Sequence, residues 1–347
     1  MFRQLKEIGV RPGPGWQAFK TIDMHTGGEP LRILTDGCPD LPGSTLLEKR
    51  RYFRDRYDVI RKQLLWEPRG HADMVGAVLT PPCGPDSDFG AFFLNNQGYS
   101  PLCGHAILAL AKFVLDLRVI RKKGSPVKLT IDVPAGTVTA VAYRTDQAVR
   151  QVAFRNVPSF VLYRDELIDL PEVGRVSFDV AFGGAFFVMV EASSLGLDLE
   201  ASEHRRILDL GVRIRRGVMN KLQILHPFEE ELGGLYGTLF TGKSVDPTCH
   251  SRNVCVFADG QVDRSPSGSA LSARAALHHA RGEWKIGQRM RIEGLAGSSL
   301  EVEIGELATC GPHKAVIPLV SGESHFTGSH SFWVDPADPL FAGFFLR

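Results

Sequence analysis

Ser100-Pro-Leu-Cys-Gly-His-Ala-Ile-Leu-Ala-Leu-Ala-Lys-Phe-Val-Leu115 puts a thiol and a glycine directly before a strongly apolar, helix-like run. A helix start presents unpaired backbone N–H groups and the positive end of the aligned peptide dipoles. That end can lower a cysteine's pKa and bind a carboxylate beside it. Ser265-Pro-Ser-Gly-Ser-Ala-Leu-Ser-Ala-Arg-Ala-Ala-Leu277 repeats the layout with Ser267 in the place of Cys103. The pattern predicts two helix starts that meet over one ligand.

Outward from these stretches the chain alternates short strand-like runs with few long helices. Residues 127–133 and 137–143 show apolar residues with period two, and Pro134-Ala-Gly136 signals a tight connection between them. Further strands are expected at 19–24, 75–79, 90–96, 151–163, 176–181, 185–190, 235–241, 253–258, 289–293, 300–304, 314–320 and 330–334. Ser44 is the expected cap of a helix running to about Trp66, and another helix is expected near 203–225. Many antiparallel-looking strands around few helices favour an α+β fold over a doubly wound sheet. The basic residues of the 44–66 helix interleave with Glu48, Asp55 and Asp58, as on a solvated face.

A chain of 347 residues exceeds one ordinary core, so two domains are expected. A net charge of +1 favours neither nucleic acid nor an acidic membrane. The N-terminus lacks the apolar core of a signal peptide, and no apolar run approaches the ~20 residues that span a bilayer. A soluble, cytoplasmic protein is the expectation. The six cysteines form no Cys-x-x-Cys pair, which argues against structural zinc and thioredoxin-like chemistry, and a chain this long without an export signal is not expected to carry a disulfide framework.

Gly237-Thr-Leu-Phe-Thr-Gly-Lys-Ser244 matches the phosphate-loop pattern letter for letter. A phosphate loop needs a helix immediately after it, and Val245-Asp-Pro247 opposes one. No Gly-x-Gly-x-x-Gly follows a strand, and His-Glu-x-x-His and Gly-x-Ser-x-Gly are absent. No cofactor and no metal are therefore expected, and the chemistry falls to side chains.

Cys103 precedes the apolar run of its helix, and Gly104 leaves a backbone N–H open to a ligand. Asp263 lies on the approach to the second helix start, where it could hold an ammonium while the N–H groups around Gly104 and Gly268 hold a carboxylate. The implied ligand is an amino acid. Without a cofactor, a carbanion at its α-carbon must be stabilised by hydrogen-bond donors and dipoles in a dry site, and a thiolate suits the base. His25-Thr-Gly-Gly-Glu-Pro30 is a second polar turn that could approach a ligand.

With these motifs the chain resembles the proline racemase family, which carries Cys-Gly-His and Asp-Arg-Ser-Pro-x-Gly at two opposed helix starts. Here they are Cys103-Gly-His105 and Asp263-Arg-Ser-Pro-Ser-Gly268, joined by Asp23-Met-His-Thr-Gly-Gly-Glu-Pro-Leu-Arg32 and Glu67-Pro-Arg-Gly-His71. The likeness runs from about residue 20 to the C-terminus. Lys49-Arg-Arg-Tyr52, Asn253-Val-Cys-Val-Phe-Ala-Asp259 and His325-Phe-Thr-Gly328 resemble its trans-3-hydroxy-L-proline dehydratase branch.

The resemblance implies a diaminopimelate-epimerase-like fold of two pseudo-symmetric lobes, each a β-roll around a central helix, with the site in the cleft. The expected division is a lead-in at 1–16, a first lobe of 17–148 plus 325–347, and a second lobe of 149–324. Carried over residue by residue, Cys103 accepts the α-proton, Gly104 and His105 bind one carboxylate oxygen, Gly268 and Ser269 bind the other, and Asp263 holds the ring nitrogen. Family racemases use a second cysteine where this chain has Ser267, and the dehydratases commonly use threonine there. An alcohol is a far weaker acid than a thiol, so the expected activity is dehydration of trans-3-hydroxy-L-proline. Epimerisation of 4-hydroxyproline, racemisation of proline, and mere binding of proline-like amino acids are the alternatives. The expected partner is a small molecule, hydroxyproline or proline, with no nucleic acid or membrane, and a homodimer is left open.

Overall fold

The computed structural model describes residues 12–346, so residues 1–11 of the expected lead-in lie outside the described residues. Among the described residues, four α-helices are embedded among eighteen strands: α1 (Leu46–Leu65), α2 (Gly104–Asp116), α3 (His204–Lys221) and α4 (Gly268–Ala280).

The strands form two rolls with the same order of elements. In the first, Gln17–Thr26 pairs antiparallel with Glu29–Asp36, α1 crosses over, and Val75–Thr80 returns parallel to Glu29–Asp36. Phe89–Asn95 and the short Gly98–Ser100 follow, α2 runs through the roll, and Val127–Val133 returns parallel to Phe89–Asn95. Gly136–Thr145 and Ala148–Arg155 complete the series with antiparallel pairs. The second roll repeats each step with Gly174–Phe182, Phe186–Glu191, α3, Leu235–Gly242, Ser251–Phe257, Gln261–Asp263, α4, Arg289–Glu293, Ser299–Cys310 and His313–Gly322.

Closure removes the sheet edges. Ser159–Leu170 pairs with both Gly174–Phe182 and His313–Gly322, which closes the second roll as a barrel of eight strands. His313–Gly322 also pairs with Ala148–Arg155, and Ser324–Val334 then pairs with Gln17–Thr26 in the first roll. The expected boundary at 148 falls at the start of a strand that pairs with Gly136–Thr145, and the strand expected over 151–163 is two strands interrupted at 156–158. On this pairing we divide the lobes at 156–158 and again within His313–Gly322. The phosphate-loop look-alike lies in strand Leu235–Gly242 and its exit.

Helix character follows position. α2 is apolar on nearly every face and fills the first roll, with residues 104–111 and 113–115 buried. α3 is amphipathic and lays Ile207, Leu210, Ile214 and Val218 on the outside of the second roll. α1 starts from a capping box in which Glu48 N–H donates to Thr45 Oγ1, so the cap lies one residue beyond the expected Ser44. Its basic side chains are only partly solvated: Lys49, Arg50 and Arg61 are buried, and Arg50 and Arg51 both pair with Glu231 of the other lobe.

Candidate active site

The starts of α2 and α4 abut. A methyl group on Gly104 would stand 2.7 Å from the Gly268 Cα and 3.0 Å from the Ser269 nitrogen, and one on Gly268 would stand 3.0 Å from the Gly104 Cα. Only residues without a Cβ let the two backbones approach this closely. One cavity at this junction is lined by Cys103, Gly104, His105, Asp263, Ser267, Gly268 and Ser269, together with Glu29 and Tyr236. All seven residues singled out from the sequence thus share one enclosure. The enclosure narrows to about 20 Å³, room for roughly one water molecule.

Cys103 is the N-cap of α2 in extended backbone (φ −135°), and its side chain makes no capping bond. Its sulfur lies 3.3 Å from His105 Nδ1. Burial pushes the thiol well above its ordinary pKa; a backbone N–H at Ala106 opposes this, and the nearby carboxyls of Asp263 and Glu29 add to the rise. The expected lowering by the helix start is therefore outweighed in the closed site. Burial likewise pushes His105 below its ordinary value, against the pull of Asp263. The His105 carbonyl accepts from Thr26 Oγ1 at 3.0 Å, which ties the α2 start to the 26–29 turn.

The second start is held by a different set of bonds. Asp263, 5% exposed, accepts from the Ser265 N–H at 2.8 Å. Ser265 Oγ accepts from the Ser267 N–H, and Asn253 Nδ2 donates to the Pro266 carbonyl. Arg274, nearly two turns into α4, donates to Asn253 Oδ1 at 2.7 Å. Ser267 is bent into positive φ (+67°) by this turn and sits beside the buried thiol of Cys255.

Comparison with known proteins now has a geometry to test. The sequence model of the proline racemase family matches residues 21–345. The chain belongs to the proline racemase family. It is 43% identical to the trans-3-hydroxy-L-proline dehydratase of Colwellia psychrerythraea over 95% of this chain and 93% of that protein. It is 44% identical to the human trans-3-hydroxy-L-proline dehydratase over 96% of each. A solved hydroxyproline epimerase from Agrobacterium vitis, with bound trans-4-hydroxy-L-proline, superposes with a TM-score of 0.91 at 28% identity over 96% of each chain. The two-lobe epimerase-like fold expected from the sequence is the fold observed.

Two further polar residues of this proline racemase family member line the cavity. Glu29 is fully buried; its Oε2 accepts from the Arg264 N–H at 2.8 Å, and its Oε1 has no hydrogen-bond partner among the described residues. The signal for it was the polar turn at 25–30, of which only Glu29 reaches the cavity, while His25 stacks on His325 outside it. Gly27 and Gly28 adopt positive φ and seat that turn against the second lobe, where Ser298 Oγ donates to the Gly27 carbonyl at 2.7 Å. Tyr236 had no local signal. Its hydroxyl meets Ser100 Oγ across the lobes at 2.7 Å and divides the enclosure from a larger cleft lined by Arg50, Tyr99, Arg215 and Glu231. The Glu67–His71 motif is structural: Arg69 donates to the Gln63 and Phe341 carbonyls.

Proposed function

We propose that this chain is a cofactor-independent hydro-lyase that dehydrates trans-3-hydroxy-L-proline to pyrroline-2-carboxylate, with Cys103 as the base. The observation that carries the reading is the asymmetry of the enclosure: a thiol at one helix start, and at the other Ser267, where a racemase needs a second acid. The dehydratases of Colwellia psychrerythraea and human, similar over nearly the whole chain, support it.

In the proposed complex, N–H groups at Gly104 and His105 hold one carboxylate oxygen, those at Gly268 and Ser269 hold the other, and Asp263 accepts from the ring nitrogen. Donors fixed by two helix starts stabilise the charge that develops when the α-proton leaves. Substrate entry requires the lobes to part, because the closed enclosure holds no ring of proline's size. The entering ammonium then supplies the positive charge that favours the Cys103 thiolate.

Stereochemistry explains why one thiol suffices. In trans-3-hydroxy-L-proline the carboxylate and the hydroxyl occupy opposite faces of the ring, so the α-hydrogen and the hydroxyl share a face. The thiolate takes the α-proton, the freed electron pair forms the C2–C3 double bond, and the C3–O bond breaks. The hydroxyl leaves as water with a proton from the same face, where the newly formed Cys103 thiol can return it. Nothing is asked of the Ser267 face, and the enamine tautomerises to the cyclic ketimine. The six unpaired cysteines suit a reducing, cytoplasmic setting.

Proline, trans-3-hydroxy-L-proline and 4-hydroxyproline incubated side by side in heavy water test this. The expected result is ketimine from 3-hydroxyproline, with no inversion of the other two. Deuterium at Cα with inversion of 4-hydroxyproline, and no ketimine, would establish the epimerase reading, which the likeness to the Agrobacterium vitis structure favours. Three unchanged ligands would mean a binder.

A further inference from the structure

A secondary ammonium carries two N–H bonds, and Asp263 accounts for one acceptor. Glu29 lines the same enclosure with zero exposure, and its Oε1 is without a partner among the described residues. Its other oxygen is fixed by the Arg264 N–H, and Thr26 beside it is fastened to the α2 start, so the carboxyl is held rather than free to turn away. We propose that Glu29 is the second acceptor for the substrate's ring ammonium, forming with Asp263 a two-carboxyl cradle, and that it gives up a proton to solvent when that cation binds. The inference rests on the amino-acid reading of the site and adds the group that recognises the ring nitrogen.

The groups facing Glu29 explain the exchange. Asp263 and Arg264 approach from the turn before α4, Asp73 from the loop before Val75–Thr80, and Cys103 and Cys255 from α2 and strand Ser251–Phe257. Arg264 stands 3.6 Å from Glu29, but it is shared with Asp73 at 3.2 Å. Burial and the neighbouring Asp263 hold the Glu29 carboxyl well above the usual range, which favours its protonated form in the empty site. A bound ammonium between the two carboxyls removes the reason for that proton. Dehydration reverses the condition: the ring nitrogen passes from ammonium to enamine to imine, loses N–H bonds and charge, and Glu29 takes a proton back as product leaves.

The test is calorimetry of L-proline, which has no 3-hydroxyl to eliminate, titrated near neutral pH in buffers of different ionisation enthalpy. The wild type is expected to release about one proton per proline bound, and E29Q none. Because a charged hydrogen bond is lost, E29Q should also bind proline roughly 10–100-fold more weakly. C103S should still release the proton, and tetrahydrofuran-2-carboxylate, with oxygen in place of the ammonium, should bind the wild type without release. Release that persists in E29Q or disappears in C103S would overturn the proposal, as would a wild type that binds proline with no release. The wild-type measurements stand even if E29Q fails to fold. A wild type that binds neither ligand loses the cradle too, and its dehydration assay then shows separately whether the functional reading falls with it.

Discussion

The two lobes share an order of elements, yet their central helices begin in opposite states. Cys103 sits in relaxed extended backbone, its sulfur beside His105 and lining the enclosure. Ser267 sits at φ +67°, in a turn fastened by Ser265, Asn253 and, through Asn253, Arg274. The first start presents a buried thiol from backbone at ease, whereas the second holds its backbone under constraint around a weak acid. On the proposed mechanism, a fold built by repetition carries a reaction that needs only one of its two faces.

The largest break in this comparison is C103S. It should lower turnover of trans-3-hydroxy-L-proline by about 10³-fold or more, since an alcohol lacks an accessible anion to take the α-proton. Steady-state ketimine formation reads this, and activity within tenfold of wild type would remove Cys103 from the mechanism. The wild-type pH profile carries the same information. Burial raises the thiol above its ordinary value, so kcat/KM should climb as pH rises above neutral. Stability should move the other way: the unfolded thiol ionises first, so folded-state stability falls once pH exceeds its ordinary value of ~8.5.

Gly104 and Gly268 test the junction itself. G104A places a methyl group 2.7 Å from the Gly268 Cα, and overpacking of this kind typically costs about 1–3 kcal/mol. Because all three obstructing atoms are backbone, the helix starts must separate, and the N–H groups proposed to hold the carboxylate separate with them. The expected outcome is a KM raised by about tenfold or more alongside a lower melting temperature. A fully active G104A would show that the close approach is not needed.

Much of this was legible because its signals are local. Cysteine or serine before glycine, followed by an apolar run, marks both helix starts, and period-two runs mark strands such as Val127–Val133. Other features depend on parts of the chain that lie far apart in sequence. The raised pKa of Cys103 follows from closure between the lobes, Glu29 becomes part of the site only through the Gly27-Gly28 turn, and Tyr236 reaches it from strand Leu235–Gly242. The polar stretch at 146–150 suggests one lobe boundary, whereas the strand pairing suggests another at 156–158, where the strand expected over 151–163 is interrupted and the chain passes from one roll to the other.

Ser267 sharpens the comparison next. S267A should keep dehydration within about tenfold of wild type, because loss of an uncharged hydrogen bond costs only ~0.5–1.5 kcal/mol. A dead S267A would give the hydroxyl a direct role. S267C puts a thiol on the second face and should produce exchange of the 4-hydroxyproline α-proton in heavy water. Absence of exchange in a folded S267C would show that the second face differs from the first in more than its acid.

The smallest effect concerns the backbones alone. Glycine at position 267 would relieve a conformation that costs a non-glycine residue roughly 1–3 kcal/mol, against an entropic loss of about 0.5–1 kcal/mol. S267G is therefore expected to gain up to about 2 kcal/mol in denaturant unfolding. C103G has no strain to relieve at φ −135° and loses a buried side chain, so it should be destabilised by about 1–2 kcal/mol. One substitution at two equivalent positions should thus have opposite signs. If both destabilise, the turn before α4 stores no strain and the two starts differ only in their side chains. If S267G alone stabilises, the hydroxyl has been kept at position 267 at a cost in stability. The strain would then belong to the way this face is shaped around the substrate.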